Sequence, residues 1–341
     1  MRIIGGTFKG RTLYGFRGEE IRPTSDSARE SLFNILGDIS GADFLDLFCG
    51  TGAVGIEAIS RGAKTVFNDI NRESVSLTRA NLKKVGASAE VYGFDASEFI
   101  KTARKKFDVI FLDPPYKSDK ISELLNAVHS ILKDGGKVVF ENEKPFSGTA
   151  DNLVLTDVRR YGRAVLHFFD KYEGGAAVYA GTFDPITVGH ESSIRAAIKA
   201  FGKVYVVIGK NAAKEPLFSE ENRANMISAT FHGEKVETVK FSDFKSEKEY
   251  GEFLERNDAR YYVRGIRDEK DFGYEKKAER KNADIYPFIK TAYIFCDDGM
   301  KNISSTKVKN ALKKGQDVSA FLPEAARQTF FEIMKRTEEK K

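Results

Sequence analysis

Two doubly wound α/β sheets in tandem are the fold class that this sequence predicts. Short apolar strands and helices alternate from about residue 44 onward, and the alternation starts afresh after Gly174-Gly175. The 341 residues accommodate two domains of about 100–200 residues each. Strands separated by helices imply parallel pairing through crossover connections.

In the first half, FLDLF reads as a buried strand, and GTGAVGIEAISRGA as a glycine-rich loop opening into a helix. TVFND, AEVYGFD, DVIFLD and KVVFEN are further apolar strands, with helical stretches such as RESVSLTRANLKKVG between them. LVLTDVRRYG and AVLHFFDKY form a closing antiparallel pair. The second half repeats the alternation with AAVYAG (strand), GHESSIRAAIKAFG (helix) and KVYVVIG (strand), then KVETVKF, ARYYVRG and TAYIFC. The Gly174-Gly175 pair is the good punctuation near the middle. The boundary therefore divides residues 1–173 from 176–341.

Composition narrows the function classes. Hydrophobic content of 41% and charged content of 31% suit buried cores in a soluble, cytoplasmic protein. No apolar run approaches the roughly 18 residues of a membrane span, so no membrane partner is expected. MRIIGGTFKGR has too short an apolar stretch for a signal peptide. Cys49 and Cys296 suggest no disulfide framework, and the four histidines show no metal-ligand spacing. Net charge of +5 permits nucleic-acid binding without demanding it. Locally, cations group at Arg2, Lys9, Arg11, Arg17, Arg22 and Arg29, at Arg104–Lys106, and at Arg159, Arg160 and Arg163.

Ligands of open α/β sheets bind at the carboxyl ends of strands. The first strand ends in Asp46-Leu47-Phe48-Cys49-Gly50-Thr51-Gly52-Ala53-Val54-Gly55, where glycines let the backbone turn and approach a ligand. Asp69 ends the next strand and can accept both hydroxyls of a ribose; Asp95 ends the third and can accept from an adenine amino group. After the fourth comes Asp113-Pro114-Pro115-Tyr116. Consecutive prolines hold the chain extended and remove two donors, leaving a carboxylate, carbonyl oxygens and an aromatic face around one small space. An amino group on a flat base fits there, with the ring stacked on Tyr116.

The second half begins with Ala180-Gly181-Thr182-Phe183-Asp184-Pro185-Ile186-Thr187-Val188-Gly189-His190. A strand ends at Gly181 and a helix begins near Gly189, so free N–H groups and the helix dipole can bind phosphate there. His190 in the first turn and Thr182 at the strand end can each donate to a phosphate oxygen. Lys214, Arg264, Arg267 and the run Ser304-Ser305-Thr306 follow later strands. Such donors suit phosphoryl chemistry by direct in-line attack, since no nucleophile with an adjacent base appears.

Two resemblances rest on these residues. RIIGGTFKGRTL, IRPTSDSARESLFNIL, DLFCGTGAVGIEAISRGA, FLDPPY and YGRAVLHFF resemble the 16S ribosomal RNA guanine-N2 methyltransferases, over about residues 1–172. That likeness implies S-adenosylmethionine as cofactor, with Asp46, Gly50, Gly52, Asp69 and Asp95 around it. It implies Asp113, Pro114, Pro115 and Tyr116 around a flipped guanine, and Arg22, Pro23 and Thr24 near RNA or over the cofactor. The small ribosomal subunit is the implied partner. Asn71 departs from relatives that place an acid there.

AVYAGTFDPITVGH, VRGIRDEKDFGYE, NISSTKVKNAL and FLPE resemble the phosphopantetheine adenylyltransferases, over about residues 176–338. These enzymes join 4′-phosphopantetheine to the adenylyl group of ATP with Mg²⁺ and release pyrophosphate. The resemblance implies that His190 stabilises the α-phosphate and that Thr182, with its neighbour Phe183, places the substrates. Lys214 and Arg264 would hold the attacking phosphate; Arg267, Glu275, Ser304, Ser305 and Thr306 would contact ATP. It also implies a homo-oligomer through this domain, although the charged helix EKKAERKNADIY departs from the family where subunits pack. Ala180 and Lys245 are further departures.

The residues leave rivals open. The first half could methylate adenine in DNA or glutamine in protein. The second could use CTP or nicotinate mononucleotide. Either half could serve only as a binding module.

Overall fold

A computed structural model describes residues 1–16, 24–115, 120–146, 150–209, 215–267, 271–273, 275–276, 279, 284–295, 298–300 and 302–338. Two compact units divide the chain, Met1–Glu173 and Gly174–Lys341.

The first unit is built on strands β1 (Asp43–Asp46), β2 (Lys64–Asn68), β3 (Glu90–Tyr92), β4 (Phe107–Leu112), β5 (Leu132–Asn142), β6 (Leu153–Tyr161) and β7 (Ala164–Lys171). Their order in the sheet is β3-β2-β1-β4-β5-β7-β6. The first five strands pair in parallel, and β7 runs antiparallel to both β5 and β6. Helices α1 (Asp26–Leu36), α2 (Ala53–Ser60), α3 (Arg72–Val85), α4 (Ala96–Thr102) and α5 (Ile121–Val128) accompany them. β4, FDVIFL, is buried at all but one position, because helices cover both faces of a central parallel strand. Edge strand β3 is only partly covered. One core cluster joins Phe33, Phe44, Val54, Phe111, Val139 and Leu166. Each such fully buried side chain contributes roughly 1.5–3 kcal/mol of transfer free energy. Helix α3 starts where the Asn71 carboxamide accepts from the Glu73 and Ser74 amides, and stops at Gly86, whose φ of 71° suits a residue without Cβ.

The second unit carries β8 (Ala176–Gly181), β9 (Val204–Ile208), β10 (Val236–Lys240), β11 (Ala259–Ile266) and β12 (Lys290–Phe295), all parallel, in the order β10-β9-β8-β11-β12. Its helices are α6 (Val188–Phe201), α7 (Glu220–Thr230), α8 (Glu247–Arg256), α9 (Ser305–Lys313) and α10 (Glu324–Glu338). KVETVKF is a strand only to Lys240; Phe241–Asp243 form a 3₁₀ turn instead. Phe241, Phe244, Tyr250 and Phe253 then meet edge-on or tilted and pack on the core of this unit.

In each sheet the order reverses between two neighbours: β1 and β4 in the first, β8 and β11 in the second. Crossovers leave such a pair in opposite directions and open a crevice at their carboxyl ends.

Candidate active sites at the two switch points

At the first switch point Asp46 closes β1 and Asp113 follows β4. Asp46 is buried and accepts from the Gly55 N–H at 2.9 Å. Burial, opposed by that bond and reinforced by the Asp69 charge, pushes its carboxyl up to about 7. Burial also raises Asp113 well above the usual carboxylate range, and the carboxylates of Glu141 and Asp46 add to the effect. The β4–β5 register pairs Leu112 with Phe140, which sets Asp113 beside Glu141 one step further on. Glu141 is itself buried, and burial raises its carboxyl too, while a 2.8 Å bond donated by the Thr24 hydroxyl opposes the shift.

The loop after β1 is shaped by its glycines. Gly50 and Gly52 have φ of 51° and 76°, and a Cβ on Gly52 would lie 2.9 Å from the Thr78 side chain. A Cβ at Gly55 would reach within 2.2 Å of the Phe67 ring, so α2 can lie close on β2 only with glycine there. The Gly50 N–H donates to Asp69 at 2.9 Å, and the Asn71 N–H to the other oxygen of the same carboxylate at 2.8 Å. Asp95 does not end the third strand as the sequence suggested: β3 stops at Tyr92, and Asp95 is exposed and caps α4 by accepting from the Ser97 N–H at 2.8 Å.

The N-terminal segment is fastened onto this loop. The fully buried Asn81 carboxamide accepts from the Tyr14 N–H at 2.7 Å and donates to the carbonyls of Tyr14 (3.1 Å) and Thr51 (2.9 Å). Glu57 accepts from the amides of Ile4 and Gly5, each at 2.7 Å, and from Arg61 at 3.0 Å. Residues on either side of positions 17–23 are therefore tied down: Tyr14 to the loop after β1 through Asn81, Thr24 to the carboxylate beside Asp113.

At the second switch point the β8–α6 connection is rigid. Thr187 caps α6, and its N–H donates to His190 Nδ1 at 3.1 Å. A histidine thus fills the place that Glu or Gln usually takes in a capping box. With Nδ1 accepting, the imidazole proton sits on Nε2. Burial, then the positive charge of Arg267, pushes the His190 pKa down to about 4. Phe183 is fully buried with φ 46° and meets His190 edge-on, ring centroids 5.2 Å apart. The buried Asp184 accepts from the amides of Leu217 (3.0 Å) and Phe218 (2.9 Å) and from Lys309 (2.7 Å). Buried Arg223 donates to the Thr182 carbonyl at 2.7 Å, leaving the exposed Thr182 side chain at the rim.

Arg264 leaves β11 beside Glu275, 3.4 Å away, with its guanidinium over the Tyr262 ring. Burial raises Glu275, while Arg264 and Arg267 pull it down. Arg267 grips Asp271 through Nε and a terminal nitrogen, each at 3.1 Å. Ser304 caps α9, accepting from Lys307 N–H at 3.2 Å; Ser305 donates to the Pro185 carbonyl at 2.8 Å; Thr306 is exposed.

The structure thus brings together Asp46, Gly50, Gly52, Asp69 and Asp113 in one unit, and His190, Arg264, Arg267 and Glu275 in the other. Pro114 is buried and Pro115 exposed behind Asp113. Tyr116, Arg22, Pro23 and Lys214 lie outside the described residues. Glu141, Asn81, Arg223 and Lys309 complete these sites, and no sequence signal marks them for that role; Thr24, which the resemblance places near RNA or over the cofactor, is bonded to Glu141. Among the described residues no three His, Cys, Asp or Glu side chains gather as a metal cluster, and no helix is long and apolar enough to cross a membrane.

Comparison with known proteins divides the chain in the same place. Residues 1–170 match the family model described as "Conserved hypothetical protein 95", and residues 178–311 the model described as "Cytidylyltransferase-like". The "Putative rRNA methyltransferase YlbH" of Bacillus subtilis (strain 168) is 37% identical over 182 residues, 50% of this chain and 99% of its own. A phosphopantetheine adenylyltransferase of Lawsonia intracellularis (strain PHE/MN1-00) is 37% identical over 149 residues, 43% of this chain and 84% of its own. A solved chain described as "Putative methyltransferase yhhF from Escherichia coli" shares 30% identity and a TM-score of 0.46, covering 50% of this chain and 97% of its own.

Proposed function

The first half of the chain belongs to the family of the Bacillus rRNA methyltransferase and the second half to the phosphopantetheine adenylyltransferases, and we propose that both halves are active enzymes. The first moves a methyl group from S-adenosylmethionine to the exocyclic N2 of a guanine in 16S ribosomal RNA. The second joins the adenylyl group of ATP to 4′-phosphopantetheine, giving dephospho-coenzyme A and pyrophosphate.

For the first half, the observation that carries the reading is Asp113 at the switch point, next to Glu141 and Asp46. The residues fit the cofactor. A Cβ at Gly50 would meet only the Phe16 ring, 3.9 Å away, so the backbone there is open to a ligand; Asp69 would accept from the cofactor's ribose, and the raised carboxyls favour a cationic ligand. S-adenosylmethionine supplies the methyl group and the leaving group. Asp113 and the proline carbonyls accept hydrogen bonds from the two amino hydrogens, which aims the nitrogen lone pair at the methyl carbon; as the N–C bond forms and the S–C bond breaks, the surplus amino proton would pass to the Asp113 carboxylate. Tyr116 stacks on the base, worth roughly 1–3 kcal/mol, against a few kcal/mol for extrusion. Positioning supplies most of the acceleration.

For the second half, the carrying observation is a neutral His190 with its proton on Nε2 at the start of α6. That proton donates to the α-phosphate while a phosphopantetheine phosphate oxygen attacks phosphorus and pyrophosphate leaves. The positive N-terminus of α6 and Arg267 stabilise the developing charge. Arg264 and Lys214 hold the attacking phosphate, Thr182 places both reactants, and Glu275 and Ser304–Thr306 face ATP. Arg264 and Arg267 start paired with Glu275 and Asp271, so binding exchanges carboxylate for phosphate. Mg²⁺ arriving with ATP would rest on the nucleotide's own phosphates.

Incubation with hypomethylated 30S particles, naked DNA and ribosomal protein, using labelled cofactor, tests the first assignment. Label on N2 of one 16S guanine is expected; label only in DNA or protein overturns it. Pyrophosphate release with ATP and 4′-phosphopantetheine, but not with CTP or nicotinate mononucleotide, is expected of the second half. The opposite preference would reject it.

A further inference from the structure

The cationic groups of the first unit lie on opposite rims of its sheet. Lys105 and Lys133 sit at the amino ends of the strands, where Lys105 meets Asp43 at 3.4 Å and Lys133 meets Asp43 and Asp108 at 2.7 and 2.8 Å. Arg104 and Lys106 flank Lys105 on that rim, just before β4. Arg159, Arg160 and Arg163 lie elsewhere. Because β7 runs antiparallel to β5, the β6–β7 turn comes back to the carboxyl rim. The register makes this explicit: Glu141 pairs with Leu166, which pairs with Arg159, and Asn142 pairs with Val165, which pairs with Arg160. Asp113, Glu141, Leu166 and Arg159 thus follow one another across four neighbouring strands or their ends. At about 4.8 Å per strand, Arg159 stands some 14 Å from the catalytic corner.

All three arginines are exposed, and so is Lys144, in the segment just after β5. Asp157 accepts from Arg159 at 3.0 Å. The turn is held in place: the Tyr161 hydroxyl bonds to Ser31 of α1, and Tyr161 packs on the core. A rigid basic tip is thereby mounted on the rim where the acceptor base must enter.

We propose that the β6–β7 turn, with Arg160, Arg163 and Lys144, is the surface that grips the phosphates of the RNA strand flanking the target guanine. This rests on the assignment of an RNA substrate to the first unit. The three side chains neutralise phosphates and carry no sequence information, so they add affinity and orientation rather than choice of base. Arg104 and Lys106, on the far rim, take no part.

The test uses the full chain and hypomethylated 30S subunits. Binding and methyl transfer are measured across a salt series for the parent protein, for R160Q/R163Q, for K144Q and for the far-rim control R104Q/K106Q. The hairpin variant should bind 30S about tenfold more weakly. Its slope of log affinity against log salt should become shallower by about 0.7–0.9 for each phosphate that is no longer neutralised. K144Q should show a smaller change in the same sense. The control should match the parent, and every variant should keep its cofactor affinity and thermal midpoint. If R160Q/R163Q and K144Q match the parent in affinity and slope while the parent methylates RNA, the surface is refuted and the RNA assignment stands. If the parent transfers methyl only to DNA or protein, the assignment fails and the surface fails with it. A hairpin variant whose thermal midpoint falls leaves K144Q, in a separate segment, to decide.

Discussion

Single side chains set the chemistry of each site, and the imidazole of His190 is the simplest to probe. Its Nδ1 accepts from Thr187, and its pKa is held down to about 4. Unfolded histidine titrates near 6.5. Between about pH 6.5 and 4 the unfolded chain therefore binds more protons than the native one. The stability gained from a neutral His190 is complete above that window and is lost as pH falls through it. His167, buried in the first unit and also held near 4, acts in the same direction there. Following the imidazole carbons of His190 by NMR should show no titration down to pH 5. Replacing it by Ala should cut turnover by about 10²–10³, as loss of a transition-state donor does, while ATP still binds. The carboxylates of the first site run the other way. Asp46 near 7, with Asp113 and Glu141 raised as well, costs the native state stability as pH climbs from about 4 to 7. A cationic ligand relieves that repulsion. S-adenosylmethionine should therefore bind more tightly at pH 8 than at pH 6, and neutral S-adenosylhomocysteine should show a smaller change by titration calorimetry. Asp113→Ala should keep cofactor binding and lose transfer.

At the scale of elements, helix α3 does more than pack. Its Asn81 ties the loop after β1 to the N-terminal segment with one carboxamide. Truncation to Ala should destabilise the first unit by about 1–3 kcal/mol, since the groups it leaves lose their partners. Asp, nearly the same shape, should do worse, because it sets a buried carboxylate against two carbonyl oxygens. Denaturation midpoints of the two variants should rank in that order, and an Asp variant as stable as the parent would refute the role of the amide. Asn81 also marks where reading the sequence stops. Asp46, Asp69 and Asp113 could be found because each follows an apolar run that must be a strand. An Asn inside RANLKKV reads as the polar face of a helix, and only the fold shows it facing Tyr14. Glu141 is similar. KVVFEN announces a strand end, but the neighbour of that end depends on β5 lying next to β4, which no local pattern encodes. In the second unit the string from Ala180 to His190 was legible as a strand end leading into a helix start. The arginine beneath Thr182 was not, because Arg223 lies in a helix of ordinary polar composition.

On the scale of the whole chain, the two units have separate cores, drawn from residues 1–173 and 174–341. S-adenosylmethionine at a hundred times its Kd should add about 2.7 kcal/mol to the unfolding of the first unit only, and ATP should act on the second only. Calorimetry on the full chain should resolve this as one transition moving while the other stays. A common shift of both would mean that the units melt together.

Placing the reactive groups in crevices at the sheet ends has an evolutionary consequence. Phe44, Phe111 and Leu166 keep the first unit standing whether or not Asp113 is present, and Val178, Tyr205 and Leu254 do so for the second without His190. Selection for a folded, undegraded chain therefore does not guard the carboxylate or the imidazole. In a lineage that obtained one product elsewhere, that half would lose turnover first and shape much later. Its partner would stay joined to a well-formed relic.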